Sequence, residues 1–348
     1  MDVLGRLDEL YAIGGGPGAN RLGGSKEEDE AHQLAAGWMR DAGLEVEVDE
    51  AGNLFGRLRG RQPGLAEVWT GSHLDSVPAG GRFDGALGVV GGLEAVERAG
   101  QQERTLTVVA FRDEEGCRGP GCVGSRALCA QAFEVPAAFV ELHVEQGPRL
   151  EAAGAPLAVV TGIAAMARAT VVFDGREGHA GTTPMAGRED ALVAAAEFVL
   201  RLRDAAAAVD GAVATVGRIE VEPGASNVIP RRAVVSVDVR APDDERLEQV
   251  WAEVPAEVSP APAVAMAPAV VAALREELTR RGLPVVELAS GAGHDAGVLA
   301  TAGVPTAMLF VRSLNGGISH SPAEHSADGD VALGVSALSG ALTFLAAA

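Results

Sequence analysis

The sequence is short of positive charge: 28 Lys and Arg stand against 48 Asp and Glu, for a formal net charge of −20 at pH 7. Nucleic-acid binding needs a basic face that displaces counterions, and an anionic membrane surface asks for the same, so neither partner is expected. No apolar run reads as long enough to cross a bilayer. Cysteine is scarce as well, with Cys117, Cys122 and Cys129 the three in the chain. An odd count builds no closed disulfide framework and the spacing is not that of a zinc knuckle, so they read as reduced thiols near a loop. The opening segment carries Asp2, Arg6, Asp8 and Glu9, which suits an amphipathic helix and breaks the apolar core a signal peptide needs. No other targeting pattern is visible, and a cytoplasmic protein is expected.

What is present is a globular composition, 47% hydrophobic and 22% charged over 348 residues, enough for two domains with separate cores. Helical spacing predicts helices over 3–13 and 26–42, and alternation predicts strands over 44–49 and 54–59. Short β-branched runs at 68–70, 105–111 and 138–142, with a helical pattern at 89–98 between the first two, suggest a mixed or parallel sheet with helices packed on it. After residue 162 the character changes. Strand 168–173, helix 189–203, strands 213–221 and 233–240 and a helix from 246 follow the ferredoxin-like order. A Pro/Ala-rich stretch, 255–268, reads as a connection back to helix 270–281, strand 285–288, helix 296–301 and strand 307–311. The expected fold is therefore α/β: a catalytic mixed-sheet domain over 1–162 and 265–348, interrupted by a smaller α+β domain over 163–264. No internal repeat is apparent.

Four polar clusters follow the predicted strands. Gly-Ser-His73-Leu-Asp75 ends the 68–70 run and leads to Asp84 in a glycine-flanked loop. A histidine at a strand end with an aspartate two residues on suits a metal ligand and the carboxylate that fixes its tautomer. Asp113-Glu114-Glu115 follows the 105–111 run. Adjacent carboxylates repel unless a cation sits between them, which would leave one glutamate available as a base. His143-Val-Glu-Gln146 and Ser-His320-Ser-Pro-Ala-Glu follow the strands 138–142 and 307–311. Each cluster alone also fits a solvated turn or a structural histidine. Together they place three of the chain's 7 histidines at C-terminal strand ends, where open α/β sheets build their sites. Imidazole and carboxylate donors suit a pair of Zn²⁺ or Mn²⁺ ions.

These stretches resemble the hydantoinase/carbamoylase branch of the M20 metallopeptidase clan. The matching segments are HLDSVPAGGRFDG, EEG, LHVEQGP, GHAGTTPM, PGASNVIP, SGAGHDA and GISHSPAE, which span nearly the whole chain. The resemblance implies a two-metal amidohydrolase acting on the ureido group of a small carboxylate-bearing substrate, such as an N-carbamoyl amino acid or an allantoate-like compound. It implies His73 and His143 on one divalent ion, Glu115 and His320 on the other, and Asp84 bridging. Zn²⁺, Mn²⁺, Co²⁺ and Ni²⁺ all accept such ligands. His143 stands where the peptidase relatives have an acidic residue, which favours the carbamoylase branch over an aminoacylase, a dipeptidase or a silent binding member. Glu114 resembles the general base and Asp75 the partner of His73. Gln146, His179, Asn227, Arg240 and His294 look like substrate contacts, with His179 also stabilising the oxyanion. The resemblance further implies that the inserted domain acts as a lid and dimerisation element in a homodimer. The chain departs from the pattern in two shortened segments, 129–136 and 255–268.

Overall fold

In the computed structural model, which describes residues 2–117, 119–257 and 260–347, the chain forms two compact units. One comprises Met1–Gly162 with Ala265–Ala348, the other Ile163–Val264. The first begins with helices α1 (Val3–Ala12) and α2 (Lys26–Asp41). Ser25 caps α2 by accepting from Glu28 N, and Glu27, Glu28 and Asp29 fill the first turn. Negative charge there complements the unpaired N–H groups and the helix dipole. Strands β1 (Glu45–Val48) and β2 (Leu54–Leu58) pair as an antiparallel hairpin. Strand β3 (Val68–His73), helix α3 (Ala86–Ala99), strand β4 (Leu106–Phe111), helix α4 (Val123–Cys129), strand β5 (Ala138–Val144), helix α5 (Arg149–Ala153) and strand β6 (Leu157–Ile163) follow.

The second unit contains β7 (Ala165–Asp174), β8 (Gly178–His179), α6 (Ala191–Ala208), β9 (Val213–Glu222), β10 (Val228–Ile229), β11 (Arg232–Ala241) and α7 (Asp244–Trp251). Its sheet runs β7-β11-β9, antiparallel throughout. An antiparallel bridge, Met166 to Ala261, stands on the far side of β7, where the ferredoxin-like order has its fourth strand. The stretch expected only as a connection thus carries the remnant of a strand; its Val258 and Ser259 lie outside the described residues. Burial alternates along β11, as a sheet packed on one face requires. Val235, Val237 and Val239 join Phe198, Leu202, Leu247 and Val250 of α6 and α7 in a separate core.

Strand β12 (Val264–Ala265), helix α8 (Pro268–Arg280), β13 (Val286–Ser290), α9 (Asp295–Thr301), β14 (Thr306–Val311) and α10 (Asp328–Ala346) complete the chain. The large sheet has the order β1-β2-β4-β3-β5-β14-β6-β12, with β13 also paired to β6. Its centre, β4-β3-β5-β14, is parallel, and β2 and β6 join it antiparallel. The sheet is therefore mixed, as the sequence indicates. The four parallel strands are buried along their whole length, which is why each reads as an apolar run without alternation.

Strands β3 and β5 extend to His73 and Val144, past the predicted ends, so that His143 lies inside its strand rather than beyond it. Strand β6 and helix α10 were not expected from the sequence. Helix α10 also corrects the expectation of no bilayer-length apolar run: it has 19 residues, and an 18-residue stretch of it has a mean hydropathy of 1.5. Its Val331, Val335, Leu338 and Leu342 are buried, and it packs against α3 and α8. An apolar helix with that placement is a core helix.

Candidate metal centre

The parallel order of β4, β3, β5 and β14 sends their C-terminal ends to one edge of the sheet. Four loops leave that edge with His73-Leu74-Asp75, Asp113-Glu114-Glu115, Val144-Glu145-Gln146 and the segment reaching Ser319-His320. Several of these residues hold backbone conformations that ordinary side chains seldom adopt: φ is 46° at Asp113, 55° at Gln146 and 52° at His320. Left-handed geometry in non-glycine residues costs on the order of 1 kcal/mol or more each, and it gathers where side chains must be aimed.

Asp84 is the hub. It is 3% exposed, while His73 and His143 are each 1% exposed. Its Oδ1 lies 3.3 Å from His143 Nε2 and 4.0 Å from His73 Nε2, while its Oδ2 lies 3.4 Å from His320 Nε2. His320 Nε2 is also 3.4 Å from Glu115 Oε2. Ligand atoms of His73, Asp84 and His143 form one group that can hold an ion, and those of Asp84, Glu115 and His320 form another. All five residues belong to the first unit.

The remaining ring nitrogens set the tautomers. His143 Nδ1 faces the Val144 carbonyl at 2.9 Å, and His73 Nδ1 faces the Asp75 carbonyl at 3.2 Å and Asp75 Oδ1 at 3.3 Å. Protons on Nδ1 leave Nε2 of both rings as lone pairs aimed at a carboxylate oxygen. His143 Nε2 is buried with no hydrogen-bond partner. Two electron-rich atoms facing each other without a proton or a cation repel. A tetrahedral ion with bonds of about 2.0–2.1 Å spaces its ligands about 3.3 Å apart, which matches the Asp84–His143, Asp84–His320 and Glu115–His320 separations. The residues therefore fit divalent cations.

Electrostatics point the same way. Burial works to lower the His73 pKa, yet the charges of Glu114, Asp75 and Asp84 overcome it and hold the ring well above its ordinary value. Burial works to raise Asp84, but the hydrogen bond from His320 and the charges of His143 and His73 pull its pKa below the ordinary value. Burial pushes Glu115 up to about 7, with the Asp84 charge adding to it. Glu114 is pushed well above the usual carboxylate range by burial, with His73 opposing and Asp295 and Glu115 adding to the rise. A site that holds several carboxylates out of water demands positive charge.

Asp75 organises two strand ends at once. Besides facing His73, its Oδ1 accepts from Glu114 N at 3.0 Å and its Oδ2 from Glu115 N at 3.1 Å. Glu114 Oε2 comes within 3.7 Å of His73 Nε2. Gln146 Nε2 donates to Asp84 Oδ2 at 3.0 Å and lies 3.3 Å from Ser319 Oγ. Its amide is therefore turned onto the central carboxylate. His294 is 3% exposed, its ring stacks edge-on against His143 with centroids 4.7 Å apart, and its Nε2 meets Ser290 Oγ at 2.8 Å.

His179, Asn227 and Arg240 belong to the second unit. His179 pairs with Val228 across β8 and β10, and Ala180 N donates to the Asn227 carbonyl at 3.0 Å. His179 and Asn227 are thus neighbours, both exposed. Arg240 Nε and Nη2 donate to Asp238 Oδ1 and Oδ2 at 2.9 and 3.2 Å. Asp238 also accepts from Arg168 at 2.7 Å. The fork expected to hold a substrate carboxylate is engaged with a carboxylate of its own strand.

Glu324 and Glu141, which the sequence reading did not single out, also hold this edge together. Glu141 is fully buried, accepts from Ser72 Oγ at 2.7 Å and Ala296 N at 3.0 Å, and ties β5 to β3 and α9. A glutamate inside the apolar run Ala-Phe-Val-Glu-Leu was the available signal.

Comparison with known proteins gives the family. Residues 69–343 match peptidase family M20/M25/M40. An N-carbamoyl-L-amino acid amidohydrolase from Geobacillus stearothermophilus is 38% identical, over 96% of this chain and 95% of its own. An allantoate amidohydrolase from Bacillus subtilis (strain 168) is 34% identical, over 97% and 95%. A crystal structure of a hydantoinase/carbamoylase family amidase from Burkholderia multivorans superposes with a TM-score of 0.90 at 33% identity, over 99% of this chain and 97% of that one. The chain belongs to peptidase family M20/M25/M40, a family of metal-dependent hydrolases, and within it to the hydantoinase/carbamoylase amidases.

Proposed function

We propose that the protein hydrolyses the ureido C–N bond of a small carboxylate-bearing substrate, an N-carbamoyl amino acid or an allantoate-like compound, releasing ammonia and carbon dioxide with the free amine. The observation that carries the reading is the two-sided use of Asp84, with Oδ1 toward His143 and His73 and Oδ2 toward His320. It occurs in a chain whose relatives are named for ureido substrates. Zn²⁺, Mn²⁺, Co²⁺ or Ni²⁺ held by His73, Asp84 and His143 and by Asp84, Glu115 and His320 would acidify a water and polarise a carbonyl.

The chain's own residues then do the following. Glu114, buried beside His73 and anchored through its backbone N–H by Asp75, takes a proton from the attacking water and delivers it to the leaving nitrogen. Its raised pKa suits both halves of that exchange. Gln146 turns its amide from Asp84 to the ureido group when substrate arrives. His294 supports the same region from behind His143. Arg240 holds the substrate carboxylate after exchanging it for Asp238, Asn227 adds a hydrogen bond, and His179 stabilises the oxyanion. In this reading the second unit is a lid and the contact surface of a homodimer, a role that rests on the motif resemblance. Three free thiols, Cys117, Cys122 and Cys129, suit a reducing, cytoplasmic setting.

The test is kcat/KM for N-carbamoyl amino acids, N-carbamoyl-β-alanine, allantoate and ureidoglycolate, with dipeptides and acylated amino acids as controls. Turnover confined to the ureido compounds is expected. Turnover of dipeptides with none of the ureido acids replaces this reading with a peptidase of the same family.

A further inference from the structure

Glu324 lies on the loop between β14 and α10, 6% exposed. Its own backbone is fixed by a turn through Pro322, with Glu324 N donating to the Ser321 carbonyl at 3.0 Å. The carboxylate then reaches two other segments. Oε1 accepts from the backbone N–H of Phe83 at 2.8 Å and of Asp84 at 3.1 Å, and Oε2 accepts from Ser319 Oγ at 2.7 Å. One side chain therefore ties the loop bearing Asp84 to the residue immediately before His320.

The fit is close on every side. A Cβ placed on Gly81 would lie 2.1 Å from the Glu324 carboxyl carbon, so the Asp84 loop passes over Glu324 only because residue 81 lacks a side chain. Ser319 Oγ in turn lies 3.3 Å from Gln146 Nε2 and 3.4 Å from Asp84 Oδ2. A hydroxyl that gives its one proton to Glu324 has none for Asp84, whose Oδ2 is then met by Gln146 Nε2 and His320 Nε2. The rotation of Asp84 and the approach of His320 are both set through this chain, yet no oxygen of Glu324 falls among the ligand groups.

We propose that Glu324 is a positioning residue that fixes the span between Asp84 and His320, and so the affinity of the ion held by Asp84, Glu115 and His320. The proposal rests on the reading of these residues as a metal centre. Removing a side chain that orients a ligand typically costs about 10–100-fold in metal affinity. Glu324→Ala strips partners from two backbone N–H groups and one hydroxyl. Ser319→Ala cuts only the branch toward His320. Glu324→Gln keeps a carbonyl oxygen for the Phe83 and Asp84 N–H groups and turns an amide donor toward Ser319.

The experiment is titration of the metal-stripped full chain with Zn²⁺ against a competing chelator, with thermal unfolding of each variant recorded alongside. In Glu324→Ala and Ser319→Ala one of two ions is expected to weaken by about 10-fold or more, the other by less than about 3-fold, while Glu324→Gln stays within about 3-fold for both. Ser319→Ala and Glu324→Gln decide the matter if Glu324→Ala fails to fold. Wild-type protein that binds two ions, with Ser319→Ala and Glu324→Ala unchanged in both affinities, overturns the proposal and leaves the metal centre standing. So does a Glu324→Gln variant as weak as the alanine, because the charge and not the hydrogen bonds would then be at work. Wild-type protein that binds no second ion overturns the reading of the centre and the proposal with it.

Discussion

Gly85 offers a test of how tightly the first unit constrains His73. It stands at the start of α3 with φ of 61° and ψ of −51°. A Cβ built there would lie 2.3 Å from His73 Cε1 and 2.4 Å from both ring nitrogens. Gly85→Ala therefore carries two penalties. An L side chain there costs at least the about 1–2 kcal/mol of the left-handed helical region, and forcing a methyl into a filled core costs about 1–3 kcal/mol more. If the ring holds its place, stability falls by about 2–5 kcal/mol. If the ring yields, it must move by roughly 1 Å to reach ordinary contact, several times the ~0.2 Å tolerance of a metal–ligand bond. The loss then appears in metal affinity instead of stability. Thermal unfolding of the metal-free protein and Zn²⁺ titration separate the two routes. An alanine variant with wild-type unfolding and wild-type affinity refutes the reasoning.

Two further outcomes follow from buried groups. Asp75→Asn replaces one acceptor by an amide that meets the Glu114 or Glu115 N–H donor to donor; metal affinity is expected to fall about 10–100-fold, and unchanged titration curves would count against the role of Asp75. His32 is held neutral by burial, with the Arg112 charge adding, so that its pKa drops from 6.5 to about 4. The unfolded chain takes up the proton first, so the His32 contribution to stability is constant above pH 6.5 and falls as the pH drops through the window to about 4. At about 1.4 kcal/mol per unit the loss is on the order of 3 kcal/mol. In His32→Leu the urea midpoint should fall less steeply across that window, and wild-type and variant curves that run parallel would exclude His32 as the cause.

How much of this could be read from the chain depends on what each element buries. Strands β3, β4, β5 and β14 are fully enclosed, so each shows as an apolar run with polar residues at its end. His73, Glu115 and His320 were singled out from that boundary, and the structure brings them together around Asp84. His143 was singled out in the same way, as the residue after the apolar run 138–142, although the strand runs one residue past it. Helix α10 escaped because it is apolar nearly all round, which erases the helical period, and its alanines and glycines look like a weak segment. The engagement of Arg240 was missed for a different reason. Asp238 and Arg240 are two apart on β11 and share a face, and Arg168 sits opposite Asp238 in the register. The period-2 rule contains that contact once the neighbouring strand is known, and pairing of β7 with β11 is long-range information. Glu324 was visible in the Ser-Pro-Ala-Glu turn but not its reach to residues 83 and 84, more than two hundred positions away.

The central claim is that Glu114 performs proton transfer at a centre organised by Asp84. Its most direct test is ammonia release from ureido acids by metal-loaded wild-type protein and by Glu114→Gln, with bound metal measured in both. The account requires release by the wild type and a fall in kcat of about 10²–10⁴-fold in the variant, at equal metal content. Wild-type rates in Glu114→Gln, or no ammonia from any ureido acid with two ions bound, would contradict it.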